Sequence, residues 1–446
     1  MYKAMKIKEN VYWVGAHDFG CRDFHGALFP IQEGTSYNAY LIVDEKITLI
    51  DTVEDIYFDV MMERIKDVIG DRPIDYIIVQ HAEADHSGGF LKLLQLYPNI
   101  SAYASKSGIL AMQQQYFHNH PFTTVKTGDV LSLGKKQLTF VEMPMIHWPD
   151  NMLTYCSEAN VVFSNDAFGQ HVCSYQMFDA QHDLSMLLDR AKDYYANIVM
   201  PYGTPVKAKL NAIAAMNLEI DMIAPAHGII WQKYIKEMLA AYHDFADMKA
   251  KDKAIIVYES IWNNTASMAH ALAEGLGMSG IDVRIYQASK TSSSIIMKEL
   301  MDAKAVIIGS GNYNNAMSPE IAAFIEKLTS NKPKGKKAYV FGSYGWGNVV
   351  IKSMEERLEK GKIPLFELPS SSSQYTPDDF HLNNLYEVGV KFAQEIKNCE
   401  FVGCTHIKEQ NCGIKDAVED GKISQERYDR FCQIYEQLKE NEKHKW

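Results

Sequence analysis

From residue 254 onward, short apolar runs alternate with stretches of helical periodicity, and this alternation constrains the fold more than any other feature of the chain. Residues 254–258, 283–286, 305–308 and 337–341 have strand length. Residues 266–276, 295–302, 319–328 and 349–359 carry apolar positions at helical spacing. A strand, a returning helix and another strand in the same direction close as a parallel sheet with helices on both faces. The serine run at 370–373 reads as a loop.

Residues 1–250 follow another pattern, strands with a few helices. Residues 34–43 and 47–51 predict a hairpin around Asp44-Glu45-Lys46. Further strand-like runs are 76–79, 138–141, 161–164 and 222–224, and residues 184–197 are helical in period. The charged stretch 249–253 reads as a linker, and residues 399–446 as a short, charged, mostly helical tail. The expected domains are therefore 1–250, 254–398 and 399–446, within the range of about two to four that 446 residues suggest.

Composition narrows the function. Lys and Arg number 45 against 56 Asp and Glu, a net −11 that disfavours nucleic acid as a partner. No apolar run is long enough to span a membrane, and the first residues lack a secretory pattern. The seven cysteines are odd in number, and only three of them sit close together. A reducing cytoplasm is the expected compartment, with no disulfide framework.

The chemistry gathers in three places. In the first, His81, Glu83, Asp85 and His86 fall within six positions, just after the apolar run 76–79. His147, Asp166 and His227 each follow another strand-like run. A single histidine there would read as a polar turn. Together these residues suffice for two metal ions sharing a bridging carboxylate.

This pattern resembles the metallo-β-lactamase superfamily, whose loop is H-x-H-x-D-H, but here Glu83 takes the place of the second histidine. A carboxylate adds charge and a harder oxygen ligand, which suits iron better than a nitrogen-rich zinc site. The H-x-E-x-D-H form resembles the flavodiiron proteins, or A-type flavoproteins. So do Phe24-His25-Gly26, the run GTSYNAYLIVDEKITLIDT and His147-Trp148-Pro149-Asp150. The resemblance implies that His81, Glu83, His147 and Asp166 hold one iron, and that Asp85, Asp166 and His227 hold the other. His86 matches a position that ligates in some members only. His25 matches a residue lining the substrate pocket.

In the second place, the loop Ser260-Ile261-Trp262-Asn263-Asn264-Thr265 joins a strand to a helix, a setting that binds anions. It has no lysine and is not a Walker A loop. Two later loops carry Ser310, Asn312, Tyr313, Asn314 and Asn315, and Ser343, Tyr344, Gly345, Trp346 and Gly347. Three such loops at the carboxyl ends of strands suit a planar ring with a phosphate tail. The region resembles flavodoxin, which implies flavin mononucleotide, with the first loop on its phosphate and the others flanking its ring. Trp346 is either a ring neighbour or a core residue.

In the third place, Cys399, Cys404, His406 and Cys412 have a spacing that suits a closed tetrahedral zinc site. The segment resembles the zinc subdomain of ribosome-dependent small-subunit GTPases, although the chain has no GTPase P-loop.

The expected architecture is α/β: a metallo-β-lactamase-like αββα sandwich, a flavodoxin-like doubly wound sheet and a small zinc-binding tail. The expected activity is reduction of dioxygen to water, nitric oxide to nitrous oxide, or both. Electrons would pass from an external donor, a rubredoxin or reduced deazaflavin, through the flavin to two irons per chain. The resemblance also implies a head-to-tail homodimer, or a tetramer of two such dimers. The alternatives are a dizinc hydrolase and a flavodoxin-like electron carrier with a degenerate metal domain.

Overall fold

A computed structural model describes residues 2–26 and 29–397, and beyond these Val418, Glu419, Ser424, Gln425, Tyr428, Asp429 and Cys432. The zinc candidates Cys399, Cys404, His406 and Cys412 lie outside the described residues. The chain divides into two compact units between Asp247 and Met248.

In the first unit a seven-stranded sheet has the order Met5–Lys8, Val11–Trp13, Tyr40–Ile42, Thr48–Ile50, Tyr76–Val79, Ser101–Ala104 and Phe122–Thr124. A five-stranded sheet runs Val130–Ser132, Gln137–Glu142, Met152–Cys156, Val161–Asn165 and Met222–Pro225. One apolar core joins them. Trp13, Tyr40, Ile42, Ile50 and Ile78 of the first sheet cluster with Leu138, Phe140, Met152, Phe163 and Ala224 of the second. Each large side chain buried there contributes about 1.5–3 kcal/mol. The helix Phe58–Ile69 buries Phe58, Met61, Met62, Ile65 and Ile69, a helical stripe.

The expected hairpin forms, with Tyr40–Ile42 antiparallel to Thr48–Ile50. The run 34–43 is not one strand, however. Thr35–Tyr37 pairs with Ala16–Asp18 in a separate two-stranded ribbon. The break falls at Asn38, whose side-chain amide donates to the carbonyls of Pro225 and Gly228 at 2.9 and 3.0 Å. The helix expected over 184–197 ends at Tyr194 and continues as a single π turn, Tyr195–Val199.

In the second unit five parallel strands take the order Asp282–Gln287, Lys253–Glu259, Ala305–Gly311, Lys337–Tyr344 and Ser371–Gln374. Helices Asn264–Met278, Ser293–Leu300, Pro319–Asn331 and Val350–Lys360 alternate with them. The serine run read as a loop is therefore the fifth strand. It lies at the sheet edge, where polar residues are tolerated and no apolar period announces them. Lys253 is likewise not linker. It opens a strand, buried, with Nζ at 2.8 Å from Asp302 Oδ1 and 2.5 Å from Glu299 Oε2.

Candidate metal centre and flavin loops

Strand ends deliver the metal candidates. Tyr76–Val79 leads into His81, Val161–Asn165 into Asp166, and Met222–Pro225 into His227. The last two strands are parallel neighbours with Asn165 opposite Pro225, so Asp166 and His227 leave the sheet side by side. The Asp166 carboxylate divides the set between its two oxygens. Oδ1 lies 3.1 Å from His86 Nε2 and 3.6 Å from His227 Nε2. Oδ2 lies 3.3 Å from His147 Nε2 and 3.6 Å from His81 Nε2. Glu83 Oε2 faces His81 and His147, both at 3.2 Å. Asp85 Oδ2 is 3.1 Å from His227 Nε2, and its Oδ1 is 3.4 Å from His86 Nε2. All seven expected ligands converge. His86, expected only in part, stands with both groups. His25 Nε2 approaches Glu83 Oε1 at 3.1 Å, so the loop histidine does reach the site.

The ring orientations are fixed from behind. His81 Nδ1 lies 3.0 Å from Asp150 Oδ2, which also accepts the Ala82 N–H at 2.7 Å. His227 Nδ1 donates to the Ser36 carbonyl at 2.8 Å. Each therefore presents Nε2 to the pocket. Both Asp85 oxygens, both His86 nitrogens and His227 Nε2 are buried without an aligned hydrogen bond. Orphaned lone pairs at this density are what a cation would satisfy.

Without a cation, protons take its place. Burial opposes a charge on His81, but hydrogen bonds to Asp150 and Glu83 outweigh it and push its pKa up to about 10. Burial is likewise outweighed at His86 by Asp85 and Asp166, and at His147 by Asp166 and Glu83; both rise to about 9. Because these pKa values are raised, the imidazoles are protonated below about pH 9, and acid competes with metal. Metal uptake by the apoprotein should weaken as pH falls from 9 to 6 and release about one to three protons per chain. Calorimetric titration in two buffers of different ionisation enthalpy measures that number, and zero would contradict the pocket's electrostatics.

Sequence reasoning missed several neighbours. Tyr194 donates to Asp166 Oδ1 at 2.9 Å, from the last turn of a helix with no motif around it. His171 is buried among Phe24, Tyr194 and His227, with Nδ1 2.8 Å from Thr35 Oγ1. Asp51 accepts from the Gln80 backbone at 2.7 Å and from Asn165 Nδ2 at 3.2 Å, which ties together the two strand ends carrying His81 and Asp166.

The three loops of the second unit also meet. Thr265 Oγ1 is 2.9 Å from Ser343 Oγ, joining the first loop to the third. Asn312 Nδ2 donates to the Gly347 carbonyl at 2.7 Å, joining the second to the third. Asn263 precedes the helix Asn264–Met278 in a left-handed conformation and makes no side-chain cap, so its first N–H groups are left for an anion. Ser260 Oγ and Asn312 Oδ1 are buried without partners. Asn314 and Asn315 are both left-handed, turning the second loop beyond Tyr313. Ser310 is used structurally, its Oγ accepting the Ser318 N–H at 2.9 Å. The Tyr344 and Gly345 carbonyls accept from Tyr375 and Gln374. Trp346 is 90% exposed and Trp262 83%, so neither packs in the core. Two large rings left at strand ends fit a planar ligand.

Among the described residues no helix is long and apolar enough to cross a membrane. Residues 35–228 match the ODP family beta lactamase model, and residues 256–366 match the flavodoxin model. A nitric oxide reductase of Moorella thermoacetica is 40% identical over 397 residues, 89% of this chain and 100% of the relative. An anaerobic nitric oxide reductase flavorubredoxin of Vibrio vulnificus is 38% identical over 87% of this chain and 79% of its own length. Among solved structures, the rubredoxin oxygen:oxidoreductase of Desulfovibrio gigas superposes with a TM-score of 0.86 at 33% identity, covering 89% of this chain and 99% of that one. The flavodiiron protein of Giardia intestinalis gives 0.85 at 28% identity, covering 89% and 97%. With full-length relatives at this identity, and with Glu83 in the ligand loop, the chain belongs to the flavodiiron proteins.

Proposed function

We propose that the protein is a flavin mononucleotide- and diiron-dependent oxidoreductase that reduces dioxygen to water, nitric oxide to nitrous oxide, or both. The observation that carries this reading is the Asp166 carboxylate, with one oxygen toward each group of ligand candidates. Bound iron would supply a pair of adjacent redox sites for a diatomic molecule, and bound flavin an entry point for electrons. His81, Glu83, His147 and Asp166 would hold one ion, and Asp85, Asp166 and His227 the other, with His86 beside them. Glu83 and Asp85 offset positive charge that four imidazoles cannot. Tyr194 holds Asp166 in place through its hydroxyl, and His25 stands at the mouth of the pocket against Glu83. The uncapped turn at Asn264 and Thr265 would take the flavin phosphate. Metal and flavin analysis with steady-state rates under each gas tests the reading. A zinc-loaded protein with hydrolase activity and no gas consumption would replace it.

The electron donor is external, a rubredoxin or a reduced deazaflavin. The Desulfovibrio neighbour's name supports the first, since it pairs rubredoxin with oxygen. The assembly is a head-to-tail homodimer or a tetramer of such dimers, which would bring one chain's flavin to the other's irons. Complementation tests this. His81→Ala and Gly345→Trp chains should each be inactive alone, and subunit exchange should restore about half of one dimer's activity. Gly345 has room for a side chain, with only Tyr375 Cε1 at 3.6 Å, so the variant should fold. Proven exchange without recovery would rule out the head-to-tail arrangement.

Cys399, Cys404, His406 and Cys412 would bind zinc as an accessory module. Truncation after Lys397 should remove one zinc and leave iron and flavin in place. Loss of gas reduction with both cofactors retained would put the tail in the catalytic path.

A further inference from the structure

A short line of aromatic rings leads away from the candidate metal centre, and none of its tyrosines is a ligand candidate. The Tyr37 ring meets the His227 ring edge-on, centroids 6.0 Å apart at 73°. Tyr57 stacks on Tyr37 at 5.4 Å and 29°. Tyr37 is buried and Tyr57 half-buried, so the line runs from the pocket toward solvent. Each phenol has a half-buried carboxylate for a neighbour, Glu54 beside Tyr37 and Asp18 beside Tyr57. Plain aromatic packing needs neither hydroxyl nor carboxylate, and phenylalanine would serve. Burial, reinforced by those carboxylates, pushes both phenols well above their ordinary range. Neither phenol ionises on its own, yet each has a base in place for the proton that phenol oxidation releases. Tyr194, also beside His227, donates to Asp166 and neighbours His171, within the pocket.

We propose that Tyr37 and Tyr57 form an exit route for oxidising equivalents from the metal centre, drawing on an external thiol when the flavin supplies too few electrons. The proposal rests on the reductase reading above. Its oxidant is dioxygen or peroxide at the centre. Tyr37 gives one electron to the oxidised centre and its phenolic proton to Glu54. Tyr57 then gives one electron to Tyr37 and its own proton to Asp18, while Tyr37 recovers its proton from Glu54. The phenoxyl radical on Tyr57 takes a hydrogen atom from the thiol, which becomes a thiyl radical, and Asp18 releases its proton to water. The net change is one electron delivered to the centre, one proton released and one thiol oxidised.

The test uses the full chain loaded with iron and flavin, reduced by limiting dithionite and pulsed with hydrogen peroxide. Paramagnetic resonance of frozen samples reports a phenoxyl radical, and peptide mass spectrometry locates oxidised tyrosine. Without thiol, Tyr57 should be the main modified tyrosine, and glutathione should suppress both signals. Tyr37→Phe should abolish modification at Tyr57 with iron content and melting temperature unchanged. Tyr57→Phe should shift modification inward to Tyr37. Tyr175, 76% exposed, controls for oxidation from bulk solution. Modification that follows exposure, persists at Tyr57 in Tyr37→Phe, or spares Tyr57 overturns the route. Should Tyr37→Phe lose iron or misfold, the Tyr57→Phe result decides alone: a radical of unchanged yield and no inward shift overturns the proposal. Gas consumption, measured in parallel, separates the two failures. Reduction of either gas with Tyr57 untouched sinks only the route, whereas reduction of neither sinks the reductase reading and the route with it.

Discussion

Asp166→Ala should lose most of its iron, from about two ions per chain to well under one, while binding flavin as before. Its two oxygens are divided between the two groups of ligand candidates. Removing it leaves His81, His86, His147 and His227 with Glu83 and Asp85, four imidazoles against two carboxylates. It also strips an acceptor from the Tyr194 hydroxyl, a buried donor whose loss of partner costs about 1–3 kcal/mol. Turnover with either gas should fall at least about 100-fold, since loss of a mere supporting residue already costs up to that much at a metal site. Iron content, flavin absorbance and steady-state rates are the measurements. Full iron and full turnover in this variant would refute the ligand assignment.

The second large effect is expected at a residue with no side chain. Gly228 follows His227 with φ +76°, and a Cβ there would lie 1.5 Å from Gln170 Oε1 and 2.1 Å from the Gln170 carbonyl oxygen. Gln170 cannot yield, because Oε1 accepts the Ile229 N–H at 2.6 Å and Nε2 donates to the Ile229 carbonyl at 2.9 Å. The Gly228 N–H is also fixed, donating to Ser36 Oγ at 2.8 Å. Gly228→Ala should therefore destabilise the apoprotein's first unit by about 3 kcal/mol or more, lowering its melting temperature by about 6–12 °C. It should also dislodge His227 and weaken iron binding. Calorimetry of the apoprotein, with the second unit's transition as internal reference, would detect this; an unchanged first transition would mean that the loop rearranges freely.

What the sequence revealed and what it hid have physical reasons. The strands leading to His81, Asp166 and His227 are continuous apolar runs, legible because both their faces are buried. The convergence of the loop 81–86 was legible because side chains able to bind metal crowd a short span. The split at Asn38 was not, because the side chain that ends the strand bonds to carbonyls at 225 and 228, far along the chain. Tyr194 and His171 sit in ordinary helical and loop surroundings and gain their meaning only by proximity to Asp166 and His227. Ser371–Gln374 became a strand through a neighbour that supplies its hydrogen bonds, not through its own composition. Trp346 left two readings open, and only its exposure removed the core one.

The parallel pairing of Val161–Asn165 with Met222–Pro225 also sets the timing of assembly during synthesis. Every iron-ligand candidate but His227 is synthesised before the strand that leads into His227. Until that strand docks, Val161–Asn165 presents an open edge, a template for pairing with the wrong chain. The nascent protein thus holds an incomplete pocket beside an aggregation-prone edge, and the contact that closes both joins distant parts of the sequence, the kind that forms slowly. Iron delivered before that closure would meet a partial site open to other divalent metals, some of which bind such donors more tightly. Faithful metallation therefore depends on the last strand of the sandwich arriving before the ion does.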